Sequence, residues 1–192
     1  MSYLRLQWSM VIGTALFFLA ALIINEWVFS YSEFIRGINW VYLPGGVRLL
    51  CTLLFGVSGA VGLLIASLIA CFTYFFPDDF IRSAVGGGIS ALAPYITYVL
   101  ALECLGLHKN LDNLTPRRLI TCAVICALLI STLHHIWFAF TDPEANLLST
   151  FGVMFVGDLV GSLIILYLLK IALSIISRLH RNRKLAGGDP SA

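Results

Sequence analysis

Charge is what this 192-residue chain has least of: Lys, Arg, Asp and Glu together make up 11% of it, against about 25% in an ordinary soluble domain. That shortage excludes a globule with a solvated polar surface. Cysteine occurs five times, and its placement excludes more. Cys51, Cys71, Cys104, Cys122 and Cys126 all fall in apolar segments without C-x-x-C spacing, which argues against a disulfide framework or zinc site and for small core residues. No A-x-A-like cleavage site follows the first apolar segment, Trp8 to Ile24, so it reads as a retained helix rather than a signal peptide. Also missing are a nucleophile with its base and oxyanion donors, and a carboxylate pair placed for acid/base work. No enzymatic activity, cofactor or resident metal is expected.

What the chain does have is length in its apolar runs. Hydrophobic residues make up 59% of it, and the mean hydropathy is +0.94. Six segments, at about 8–27, 39–57, 59–76, 82–105, 118–140 and 149–170, each approach the ~20 residues needed to cross a ~30 Å hydrocarbon core. The expected fold is therefore all-α and polytopic, with six transmembrane helices. Residues 1–184 form a single transmembrane domain and 185–192 a flexible tail. The second and third spans are joined by GVSGA, a very tight turn. Arg5, Lys109, Arg117, Arg118, Lys170, Arg178, Arg181, Arg183 and Lys184 fall on one side, and only Arg36 and Arg82 on the other. By the positive-inside rule both termini are cytoplasmic. Glu26, Glu33, Asp78, Asp79, Asp142 and Glu144 lie in the outer loops, and Trp8, Trp40, Tyr42, Tyr74, Trp137 and Phe140 sit near span ends, where aromatic anchors belong. The basic run Arg178 to Lys184 reads as a topology anchor and headgroup contact. The formal net charge of +2 says little about partners; the lipid bilayer is one, and no nucleic acid is expected.

An ionisable group near the middle of a span costs at least ~2.5–3.5 kcal/mol on insertion scales, so each one present is a functional candidate. Two stand out. Arg48 lies nine residues into the second span, counted from Asn39, and Asp158 nine residues beyond Ser149 in the sixth; both spans enter from the outer face, so the two share a depth of about 14 Å. Two readings stand side by side: a buried ion pair that only joins helices, or two walls of a pocket, with the Arg48 fork presented to an anionic or carbonyl-bearing ligand. His134 and His135 reach the same outer zone but point about 100° apart on a helix, so they cannot ligate one metal comfortably; one can face a pocket. Gly86 to Gly88 lie early in a membrane helix, which suits close approach or a break, not a phosphate loop. Pro94 and Tyr95 lie deeper. In VYLPGG, Pro44 and its glycines free backbone groups, which is tolerable only against protein or a water-filled cavity. GDLVGS, Gly157 to Ser162, reads as a small-residue packing face beside Asp158, and Glu103 as a snorkelling residue at a span end. The expected ligand-binding set is Tyr42, Pro44, Gly45, Gly46, Arg48, Gly87, Tyr95, His134 and Asp158.

The order of these features resembles MASE1, the bacterial membrane-associated sensor domain. The stretches that carry the likeness are VYLPGGVRLLCTLLFGVSGAVGLLIAS (Val41 to Ser67), LDNLTPRRLI (Leu111 to Ile120) and FVGDLVGSLIILYLLK (Phe155 to Lys170). The resemblance implies a small-molecule sensor in the bacterial inner membrane. Such domains are usually joined to a histidine kinase or diguanylate cyclase, and no such output module is present in these residues. In general design the chain is also similar to substrate-binding components of energy-coupling-factor vitamin transporters. The expected function is a sensor-type protein that binds an unidentified small molecule in an outward-facing polar pocket and acts through a membrane or cytoplasmic protein partner. The alternatives are a substrate-binding subunit of an uptake transporter, and a structural or assembly subunit of a larger membrane complex.

Overall fold

A lipid-embedded chain must satisfy its backbone amides and carbonyls internally, and a helix does so within one segment. The computed structural model, which describes residues 2–141 and 146–186, follows that rule. In chain order the elements are α1 (Ser2–Phe29), a small hairpin of β1 (Glu33–Ile35) and β2 (Ile38–Asn39), α2 (Leu43–Phe55), α3 (Val57–Ala70) continued by a π turn (Cys71–Phe75), α4 (Phe80–Glu103), α5 (Pro116–Thr141) and α6 (Leu147–Ala186). Among the described residues, five helices are long and apolar enough to cross a membrane: α1, α3 with its π turn, α4, α5 and α6. Their outward faces carry Ile12, Leu16, Ile65, Ile69, Leu92, Leu128 and Leu163, a surface that water disfavours and lipid tails accept. The protein is an all-α, multi-pass membrane protein.

The segment expected as the second span is where the structure differs. Only Leu43–Phe55 is helical, 13 residues or about 20 Å, short of a full crossing by itself. Pro44 explains the late start, because a proline fits the first turn of a helix but not its interior. Trp40 and Val41 form a bend instead, and Tyr42 is non-helical at φ −131 and ψ 88. This short helix is nonetheless the axis of the bundle: it packs against α1, α3, α4, α5 and α6, and Leu43 through Leu53 are all buried. Val47 and Cys51 join a core cluster with Phe18 and Leu63, while Leu49 and Leu53 join a second with Ala93 and Ile130. One helix thus holds both halves of the core together.

The turn between α2 and α3 is tighter than GVSGA implies, because Val57 already belongs to α3. Gly56 alone reverses the chain, at φ +54 and ψ −123, a conformation open in practice only to glycine. Its amide donates to the Thr52 carbonyl at 2.9 Å. Further on, Asp79 caps α4 by accepting from the Arg82 amide at 2.9 Å. Four of the cysteines are buried as expected, but Cys104 is exposed, since α4 ends at Glu103 and leaves it in the following turn. Leu185 and Ala186 continue α6; residues 187–192 of the expected tail, and the acidic pair Asp142 and Glu144, lie outside the described residues.

Candidate functional site

The site grows from how α2 begins. Residues entering a buried helix bring amides without intrahelical partners, and here other elements supply the acceptors. The Leu43 amide donates to Asn25 Oδ1 of α1 at 2.8 Å, and the Tyr42 amide to the Gly157 carbonyl of α6 at 3.1 Å. The non-helical segment before α2 therefore lies directly on the backbone of α6. Glycine makes this possible at two positions one turn apart: a Cβ at Gly157 would overlap the Asn39 carbonyl, and one at Gly161 the Tyr42 carbonyl. Gly46 completes the approach, since a Cβ there would come within 2.8 Å of the Gly161 oxygen.

This docking brings Arg48 and Asp158 face to face, as their equal depth predicts. Arg48 Nη1 stands 3.7 Å from Asp158 Oδ1, with the residues only 5% and 3% exposed. A direct charge-assisted hydrogen bond would measure ~2.7–2.9 Å. The charges compensate one another, but the pair is not closed. Arg48 Nη2 also donates to Ser90 Oγ at 3.2 Å and makes a longer contact, 3.4 Å, with the Tyr42 hydroxyl. The guanidinium is flanked by the rings of Phe18 and Tyr42, with centroids 5.3 and 5.1 Å away, a setting that cation–π attraction favours.

Beside the pair is a cavity of about 60 Å³, room for roughly two to four waters or a small ligand group. Arg48 and Asp158 line it, with Asn39 from β2, Tyr42, Ser90, His134, and an aromatic wall of Phe75, Phe76, Trp137 and Phe138. Arg36 and Arg82 line it too. Four atoms of lining residues, Asn39 Nδ2, Arg48 Nε, Arg82 Nε and Asp158 Oδ1, are buried and find no hydrogen-bond partner among the described residues. Buried polar groups are almost always paired, so such a concentration around one cavity marks a place where polar contents belong.

Of the residues expected from sequence, Tyr42, Arg48, His134 and Asp158 line the cavity. Pro44, Gly45 and Gly46 do not line it but form the buried start of α2; a Cβ at Gly45 would strike Asp158 Oδ1, so their part is to let the two elements meet. Gly87 belongs elsewhere: it faces Leu68 of α3, whose Cδ2 would lie 2.7 Å from an added Cβ. Tyr95 also lies off the cavity, with its ring 6.2 Å from that of Tyr98 on the same helix. The two histidines diverge. His134 faces the cavity, whereas His135 places Nε2 2.9 Å from Thr150 Oγ1 of α6. Trp137 and Tyr42, expected as interfacial anchors, line the cavity.

Sequence reasoning missed Arg36, Arg82, Asn25 and Asn39. A signal for the arginines existed: they are the two cations on the side that the charge bias leaves poor in cations, and a residue against a bias has a local reason to be there. No protein-family model matches this chain, and neither a curated protein nor a solved structure shows a significant similarity to it.

Proposed function

We propose that this protein is a sensor-type receptor of the bacterial inner membrane, which binds a small polar molecule in its buried cavity and acts through a partner protein rather than by catalysis. The observation that carries the reading is the set of four buried polar atoms without a hydrogen-bond partner on residues that line one cavity. Leaving such a group unsatisfied costs about 1–3 kcal/mol, so a pair serving only to join helices would be expected to close. Two further features support it. Asp158 stands on α6, a single helix of 40 residues, about 60 Å long, so one rigid element links the cavity to the far side of the bundle. The order of motifs that resembles MASE1 points the same way. In this reading the non-helical approach and α2 together count as one crossing, which gives six crossings, both termini in the cytoplasm by the distribution of Lys and Arg, and a cavity that faces outward.

Native mass spectrometry of gently extracted protein tests it. A small molecule retained by the wild type, and lost from Arg48→Ala and Asp158→Asn, is the expected result. An empty wild type whose thermal midpoint answers to no small polar compound and is matched by both variants would remove the reading.

A second reading is favoured by one observation, the short α2 whose start lies buried in the bundle. Interrupted helices with buried ends are the usual substrate sites of transporters, so a substrate-binding uptake subunit would use the same cavity. Solute accumulation in liposomes only when an ATP-driven partner is added would select that reading.

A further inference from the structure

Resting on the reading of the cavity as a ligand site, we infer that its ligand presents an anionic group of carboxylate or phosphate size. Three guanidinium groups, from Arg36, Arg48 and Arg82, line the cavity against one carboxylate, Asp158. Arginine donates hydrogen bonds and cannot accept them, so the two unpartnered Nε atoms, of Arg48 and Arg82, call for an acceptor. Asp158 compensates Arg48; among the described residues no carboxylate lies within 4 Å of Arg36 or Arg82.

The outer two arginines are also held in place. Arg82 lies over the Phe76 ring at 4.2 Å and near that of Phe138 at 5.7 Å, and Arg36 donates to the Tyr74 carbonyl at 2.5 Å while lying over its ring. A fork fixed by aromatic faces loses little freedom when it binds a planar or tetrahedral oxyanion. The cavity's ~60 Å³ limits what is enclosed to the anionic group itself. A second concavity of about 320 Å³ shares Arg82, Trp137 and Phe138 with it and includes Ile81, a residue 62% exposed. The anion can therefore belong to a free solute or to a lipid headgroup that enters sideways, and the experiment separates the two.

The full chain in phosphatidylcholine nanodiscs is titrated with sodium acetate or sodium phosphate, and in parallel with acetamide, methylammonium chloride and sodium chloride at matched ionic strength, with the thermal midpoint read by tryptophan fluorescence. Saturable stabilisation by acetate or phosphate, with none from acetamide or methylammonium, is expected. Arg82→Gln should weaken it by about tenfold or more, the loss of one charge-assisted hydrogen bond; Arg36→Gln, at an exposed position, provides the same comparison should Arg82→Gln fold poorly. Stabilisation that appears only when phosphatidylglycerol is added to the disc assigns the anion to a headgroup and sustains the inference. The inference is overturned if acetamide or methylammonium matches the anions, if the arginine variants bind anions unchanged, or if neither free anions nor phosphatidylglycerol has any effect. In each of these cases the retained-molecule measurement shows independently whether the ligand site itself survives.

Discussion

Arg48 is tolerable inside the bundle because two aromatic rings flank it and a carboxylate stands 3.7 Å away, yet its Nε is left for something else. Its rarity made it legible in the sequence, and so did that of Asp158: a charge in an apolar run needs a reason. Arg36 and Arg82 were not legible in the same way, because a cation in a turn or at a helix end is ordinary until the fold turns it inward. The histidines divide labour between these extremes. In both, Nδ1 lies within 2.9 Å of the carbonyl four residues earlier; a carbonyl can only accept, so Nδ1 donates and Nε2 is left to meet another polar group. For His135 that nitrogen meets Thr150; for His134 the ring faces the cavity. His135→Ala is therefore expected to lower stability by about 1–2 kcal/mol and leave any retained molecule in place. His134→Ala should reduce retention with a smaller loss of stability. Thermal unfolding and native mass spectrometry of the two variants, measured together, check the division; retention that is equally sensitive to both would refute it.

The decisive element is the non-helical approach and the short helix it feeds. A buried, non-helical backbone is permissible only where another segment meets its polar groups, and α6 does so through Gly157 and Gly161. The atoms that an added methyl would strike there are backbone carbonyls, which cannot swing aside as a side chain can. Gly157→Ala and Gly161→Ala are expected to cost at least about 2 kcal/mol each or to prevent folding. Gly13→Ala, Gly88→Ala and Gly152→Ala meet nothing within 4 Å and should be neutral or stabilise the helix by up to about 1 kcal/mol. Retention of folded protein after stepwise heating distinguishes the two groups, and equal tolerance in both would show that the approach does not depend on glycine. The spacing G-D-L-V-G marked this face of α6 for close packing. Its partner was not legible, because an apolar run does not announce that residues 40–42 leave the helix.

At the scale of the molecule, the proposed topology turns on whether the approach and α2 together cross the bilayer. Six crossings place both termini on one face, whereas five would place them on opposite faces. Fluorescent-protein fusions at either end are expected to be bright and alkaline-phosphatase fusions inactive, as cytoplasmic reporters are; a split result would reject the sixth crossing. Hydropathy by itself determined that the chain lives in lipid and is helical, because backbone polar groups in hydrocarbon leave a helix as the local solution. Charge rarity by itself singled out Arg48 and Asp158. The tertiary structure alone decided that the shortest helix is the central one, that Gly87 and Tyr95 lie away from the cavity, and that Arg36 of the hairpin turn and Arg82 of the first turn of α4 come to it. Those outcomes depend on contacts between segments distant in sequence, such as the carbonyls of Asn39 and Tyr42 against the glycines of α6, and local composition carries no record of them.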